Sequence, residues 1–194
     1  GERNGAVFLV PSHVLKQRRT RVALLAQSNP PEGYEKEVNG NWAQAKWIAS
    51  HPDITLFPIE DLAPLSGEKF DLSNYDEVVV LVHNFFRVPG VLLSGDTPMD
   101  LANKLINAKI RNGARIELVS CRGGGKIKFD DGRIESYATQ LARILYQRHC
   151  DCPVIAYTHY VTVRTNWGWF YALAGDRRVE LSGYMYPTDV DGNE

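Results

Sequence analysis

The sequence predicts an α/β fold: a doubly wound, mostly parallel sheet flanked by helices, with a C-terminal β-hairpin appendage. Three observations carry that expectation. Val78-Val-Val-Leu-Val82 is apolar on both faces, as a central parallel strand must be. Further short apolar runs recur along the chain, separated by stretches whose apolar residues repeat at helical spacing. Strands and helices alternate over short links, the pattern of right-handed crossovers within one sheet.

Taken in order, Arg21-Val-Ala-Leu-Leu-Ala-Gln27 is an apolar run closed by Ser28-Asn-Pro-Pro31, a buried strand ending in a turn. Trp42, Ala45, Ile48 and Ala49 mark a helix that Pro52 stops. Ile54-Thr-Leu-Phe57 is a second strand, and Pro58 to Ser73 is an irregular acidic connection. After Val78–Val82, β-branched at almost every position, a loop bearing Gly and Pro runs from Asn84 to Asp96. Thr97 before Pro98, with Asp100 in the first turn, starts the next helix. Its buried face is Leu101, Ala102, Leu105, Ile106, Ala108 and Ile110, and Asn112-Gly113 is expected to end it. Arg115–Val119 is a strand, Ser120 to Gly132 a loop rich in Gly and Lys, and Ile134, Tyr137, Ala138, Leu141, Ala142 and Leu145 a further amphipathic helix. Pro153–Tyr157 is another strand. Tyr160–Arg164, Trp167–Leu173 and Val179–Tyr184, broken at Asn166 and at Gly175-Asp176, read as antiparallel hairpins.

A chain of 194 residues with 44% hydrophobic content is long enough to bury its own core and too apolar to be disordered. It reads as one domain over 1–194: an N-terminal arm (1–20), an α/β core (21–158), and a hairpin, flap and tail (159–194). The longest aliphatic run is the Val78–Val82 segment, far short of the roughly 20 residues that cross a bilayer. No signal peptide is recognisable near Gly1, and without an initiator Met the chain reads as a piece of a longer polypeptide. Three cysteines, an odd number, argue against a closed disulfide framework and for a reducing compartment.

The net charge of −1 conceals local asymmetry. Asp53 to Glu77 carries a balance of −6, Lys104 to Lys128 a balance of +6, and Lys16 to Arg21 four bases in six residues. Each is compatible with a solvated face, and the basic clusters are also compatible with one shared polyanionic ligand.

In doubly wound sheets chemistry sits beyond the carboxyl ends of the strands. Two residues occupy that place: His83, directly after Val78–Val82, and Cys121, directly after Ile116–Ser120. A cysteine nucleophile acts as the thiolate, and an imidazole base forms it. Consecutive parallel strands would bring this pair to one sheet edge although they lie far apart in sequence. The Arg122-Gly-Gly-Gly125 loop that follows would offer free N–H groups, with that of Cys121, to an oxyanion.

Leu81-Val-His83 after one aliphatic strand, and Ile116-Glu-Leu-Val-Ser-Cys121-Arg-Gly123 after another, resemble the caspase-like clan of cysteine peptidases. Within that clan the chain is most similar to the self-cleaving cysteine peptidase domains of RTX-type and clostridial glucosylating bacterial toxins. Leu92-Leu-Ser-Gly95, Met99 to Leu105, the Ser28-Asn-Pro30 turn and the terminal hairpins share in the likeness, which spans Arg21 to Leu181. The resemblance implies a Cys–His dyad, with Cys121 as nucleophile and His83 as base and later acid. It implies an oxyanion site from the Asn84 and Cys121 backbones, no metal, and a peptide or protein substrate that includes the parent chain. It also implies activation in the host cytosol, after secretion from a bacterium, by inositol hexakisphosphate, to which Arg18, Arg19, Arg21, Arg177 and Arg178 are assigned. Asn84 departs from the clan's glycine after the histidine, and Ser120 from its alanine. Those toxin domains prefer Leu at the cleaved position, for which Leu9 or Leu15 would serve.

Other readings stay open. A catalytically silent binding module of the same fold is one, for which Asn84 is the argument. A phosphate- or nucleotide-binding enzyme using the Arg122–Lys126 glycine loop is another, although that loop lacks the Lys-Ser/Thr ending of a phosphate loop. His149-Cys150-Asp151-Cys152 offers metal-ligand types without a second cluster to complete four ligands. Trp42, Trp47, Trp167 and Trp169, with Tyr157, Tyr160 and Tyr171, fit core packing better than base stacking.

Overall fold

A computed structural model describes residues 20–62, 70–166, 169–173 and 178–181, of which 162–166, 169–173, 178 and 181 are described by backbone alone. The main sheet has six strands: β1 (Val22–Ala26), β2 (Ile54–Pro58), β3 (Glu77–Leu81), β4 (Arg115–Val119), β7 (Val154–Tyr157) and β10 (Arg178–Leu181). Their order is β10-β7-β4-β3-β1-β2, all parallel except β10, which pairs antiparallel to β7. Strand β1 and residues 78–81 of β3 read as unbroken apolar runs because helices cover both of their faces, whereas β4 interrupts its apolar residues with Arg115 and Glu117.

The path reverses between β1 and β3. Moving from β1 outward to β2 the chain crosses through α1 (Glu35–Ile48); moving the other way it crosses through α2 (Pro98–Asn107) and α3 (Tyr137–Gln147). A right-handed crossover in opposite directions needs opposite faces, so α1 stands alone on one side and α2 with α3 on the other. Alternation within the strands divides the core accordingly. Val22, Leu24, Ala26, Val79, Leu81 and Val119 pack with Ala45 and Ile48 of α1. Ala23, Leu25, Val78, Val80, Val82, Ile116 and Leu118 pack with Leu101, Leu105, Leu141 and Leu145 of α2 and α3.

Local chemistry sets the helix ends. Thr97 and Asp100 form a reciprocal capping box at α2, and Ser136 accepts from the Thr139 N–H at α3. Helix α2 stops at Asn107, five residues before the Asn112-Gly113 signal, because Lys109 turns into the left-handed region at φ 64°. Ile110 is buried beyond the helix, so its apolar character reports burial rather than helical period. Ile134 is likewise no part of α3: it lies 65% exposed in β6 (Ile134–Ser136), which pairs with β5 (Lys126–Lys128) as a small hairpin inside the expected loop.

The C-terminal reading needs one correction. β8 (Thr162–Asn166) and β9 (Trp169–Leu173) pair antiparallel, but the next strand, β10, joins the edge of the main sheet instead of an appended hairpin. Trp167, residues 174–177 and everything after Leu181 lie outside the described residues, as does the arm 1–19 with Leu9 and Leu15. Among the described residues no helix is long and apolar enough to cross a membrane.

Candidate active site

Register places the two candidate catalytic residues. Leu81 of β3 pairs with Val119 of β4, so His83 and Cys121, each two residues further on, come level at the carboxyl edge of the sheet. Leu81 and Val119 both face α1, and the period of two carries His83 and Cys121 toward the same side. Both residues line one cleft of about 120 Å³, together with Asn41 and Gln44 of α1 and Val161. His83 is exposed and Cys121 partly so. Among the described residues the His83 imidazole has no hydrogen-bond partner.

The Cys121 thiol sits against the Val161 backbone: the Val161 N–H donates to Sγ at 3.2 Å, and Sγ lies 3.7 Å from the Val161 carbonyl oxygen. Both main-chain polar groups of Val161 therefore face the sulfur and fix its position in the cleft. Because the contribution is a main-chain N–H, no side-chain pattern signals Val161 in advance. Asn41 and Gln44 are equally silent in the sequence, as polar positions on a helix whose apolar residues carry the visible period. The Asn41 amide donates to the Leu81 carbonyl oxygen at 2.8 Å and braces the end of β3.

Asn84 does something other than block the backbone. Its side-chain amide donates to the Cys121 carbonyl oxygen at 2.9 Å, bridging the residue after the histidine to the cysteine itself. The Asn84 side chain is absent from the lining of the His83–Cys121 cleft. Among the described residues the backbone N–H groups of Asn84 and Cys121 have no partner, so both expected oxyanion donors remain available.

The glycine loop behaves differently from expectation. Its four N–H groups are all engaged: Arg122 with the His159 carbonyl, Gly123 with Ser120, Gly124 with Tyr157 and Gly125 with Arg122. The loop therefore has no main-chain N–H left for an oxyanion or a phosphate. The glycines answer to crowding instead. A Cβ on Gly123 would lie 2.8 Å from Leu118 Cδ2, and one on Gly124 2.9 Å from Val179 Cγ2 of β10. The left-handed backbone at this turn belongs to Arg122, at φ 60°.

A buried network holds the histidine loop. Gln27, at the end of β1, donates to the Leu93 carbonyl oxygen at 3.2 Å, and the Leu93 N–H donates to the His83 carbonyl oxygen at 2.8 Å. Asp96 accepts from Ser94 Oγ and pairs with Lys104 of α2 at 3.0 Å. Tyr137, whose hydroxyl donates to the Asp96 carbonyl oxygen, is held protonated by burial and by the nearby Asp96 charge.

Of the assigned polyphosphate ligands, Arg21 and the backbone of Arg178 lie among the described residues, and these two lie apart. Arg18, Arg19 and Arg177 lie outside the described residues. Arg21 precedes β1, where the parallel strands begin; it stacks on Tyr75 at 4.9 Å and its N–H donates to Asp76. Arg178 pairs with Tyr157, where those strands end. A strand length of about 17 Å and four spacings of about 4.8 Å separate the two positions, beyond the span of one inositol ring.

The other cysteines pair with each other. Cys150 and Cys152 are buried with Sγ atoms 3.5 Å apart; the bond from Cys152 lowers the Cys150 pKa, while the same contact and burial push Cys152 far up. No protein-family model matches the chain, and comparison with curated proteins and with solved structures likewise finds no match.

Proposed function

We propose that the chain is a cysteine peptidase working through a Cys121–His83 dyad. The observation that carries the reading is the level placement of the two residues beyond the ends of adjacent parallel strands, in one cleft, beside the N–H groups of Asn84 and Cys121, which have no partner among the described residues. His83 removes the thiol proton and the Cys121 thiolate attacks the carbonyl carbon of a peptide bond. The oxyanion accepts from the Asn84 and Cys121 N–H groups. His83 then gives its proton to the departing amine, and water, deprotonated by His83, releases the acyl group from sulfur. The test is peptide hydrolysis together with mass-mapped alkylation by iodoacetamide. Cys121 should react much faster than buried Cys150 and Cys152, and both Cys121→Ala and His83→Ala should abolish hydrolysis. Hydrolysis retained by Cys121→Ala would sink the mechanism.

A silent binding module of the same fold draws on one observation, the engagement of Sγ by Val161 rather than by His83. It predicts Cys121 alkylation no faster than that of a free thiol. The phosphate-loop alternative loses its support because the loop N–H groups are engaged.

The setting of a secreted bacterial toxin domain acting in a host cytosol belongs to the same proposal and rests on the resemblance alone. For activation by inositol hexakisphosphate, the proposal keeps Arg18, Arg19, Arg177 and Arg178 and sets Arg21 apart, because Arg21 stacks on Tyr75 where the parallel strands begin whereas Arg178 pairs with Tyr157 where they end. A thermal shift with the polyphosphate should survive Arg21→Gln and vanish in Arg177→Gln/Arg178→Gln. A shift that depends on Arg21 would contradict the placement.

A further inference from the structure

A second cleft, of about 170 Å³, opens on the other side of the dyad, and its walls include Phe85, Phe86, Pro89 and Ile127 with Arg122 and Lys126. Asn84 lines this cleft while its neighbour His83 lines the first; Arg122 lines it while Cys121 lines the first. The two clefts therefore meet at the Asn84 and Cys121 backbones, where the scissile carbonyl would rest. A peptide laid across that point puts side chains of opposite flanks into opposite clefts.

The chemistry of the second cleft is one-sided. Two aromatic rings, a proline and an isoleucine make an apolar wall, and among the described residues no acidic residue lines it. The guanidinium of Arg122 and the ammonium of Lys126 have no ion-pair partner among the described residues. Phe86, 56% exposed, and Tyr160, 67% exposed, extend the apolar rim with ring centroids 6.1 Å apart. Large aromatics left in solvent beside a cleft mark a surface that something covers. The wall is also firmly shaped: Gly90 holds φ 83°, and a Cβ there would meet the Phe129 ring at 3.0 Å.

We propose that this second cleft is a substrate subsite for a bulky apolar side chain with an acidic residue next to it, the apolar group covering Phe85 and Ile127 and the carboxylate meeting Arg122 and Lys126. The inference rests on the peptidase reading for its occupant, a peptide segment, and on charge complementarity for its preference. It makes Arg122 and Lys126 specificity-determining residues on the flank of the scissile bond away from Asn41 and Gln44.

The test reads binding without turnover. Fluorescein-labelled octapeptides carrying central Leu-Asp, Leu-Lys or Gly-Asp pairs are titrated against the Cys121→Ala protein by fluorescence anisotropy. The Leu-Asp peptide should bind at least tenfold tighter than either of the others. The Arg122→Gln/Lys126→Gln form of that protein should lose the preference over Leu-Lys, and Arg122→Lys, which keeps the charge at the left-handed turn, should retain it. Equal binding of the three peptides, or a preference untouched by loss of both charges, overturns the subsite. Alkylation of Cys121 in the wild-type protein reports separately on the dyad, so a failed dyad and a failed subsite give different results.

Discussion

Asn84→Ala removes one hydrogen bond, from Nδ2 to the Cys121 carbonyl oxygen at 2.9 Å, and leaves a partly buried carbonyl without that partner. A neutral bond of this kind contributes about 1 kcal/mol net, and the orphaned acceptor brings the expected loss to about 1–2 kcal/mol. At this chain length that lowers the melting temperature by roughly 2–8 °C. The consequence at the site is separate. The bond fixes the cysteine relative to the Asn84 N–H, so its loss displaces an oxyanion donor without deleting one. Outright deletion of such a donor slows catalysis by about 10²–10³; displacement should slow hydrolysis by about tenfold, equivalent to about 1.4 kcal/mol. Asn84→Gly, which restores the clan's residue, should show the same losses. Asn84→Asp should be worse, since a carboxylate beside Cys121 disfavours the thiolate. Urea unfolding and the alkylation rate of Cys121 report the two effects independently. Unchanged stability and hydrolysis in Asn84→Ala would refute the bridge, and a gain of activity in Asn84→Gly would show that the side chain obstructs the site.

Three further outcomes follow from the packing and the charges. Lys104→Met strands the Asp96 carboxylate, whose side chain is 5% exposed, and should destabilise by about 3 kcal/mol or more; adding Asp96→Asn should recover part of that, and a double variant no better than the single one would count against the pairing. Gly124→Ala drives a Cβ to 2.9 Å from Val179 and 3.3 Å from the Ala156 Cβ, so thermal unfolding should show about 1–3 kcal/mol of overpacking, and an unchanged melt would contradict the crowding. The Arg21 N–H bond, with Arg111 beside it, lowers the Asp76 pKa below its usual 3.8. A carboxyl with a depressed folded pKa stabilises above its unfolded pKa and loses that contribution as pH falls through the folded value. Asp76→Asn should therefore cost less than about 1 kcal/mol at neutral pH, given its exposure, and progressively less at lower pH; a difference undiminished in acid would contradict the sign.

The centre of the parallel core was legible because β1 and β3 are apolar on two faces and so resist any other reading, while β2 and β4, with Thr55, Arg115 and Glu117 among their apolar residues, were legible from those apolar residues and their short links. Strands β5 and β6 were not, since Lys-Ile-Lys and Ile-Glu-Ser are short, half-polar segments that pair only because the hairpin between them closes. Strand β10 was recognisable as extended, but nothing in Arg-Val-Glu-Leu tells whether its neighbour is β7 or β9. The end of α2 was overshot because Ile110 is apolar for a tertiary reason. At the site the side chains were legible and the main-chain donors were not. The glycine loop advertised free N–H groups, while its composition follows from steric contact with Leu118 and Val179, and Val161 reaches the thiol through atoms that every residue possesses.

The level pairing of Leu81 with Val119 has a consequence for how such a chain tolerates insertion and deletion. The connection from Asn84 to Ala114 can grow or shrink at its loops without moving His83 relative to Cys121, because strand pairing rather than chain length holds them level. A single residue gained or lost inside β3 or β4 would turn one of the pair toward the opposite layer of helices. The number of residues between the two therefore carries little information about the site, whereas the parity of each strand carries nearly all of it.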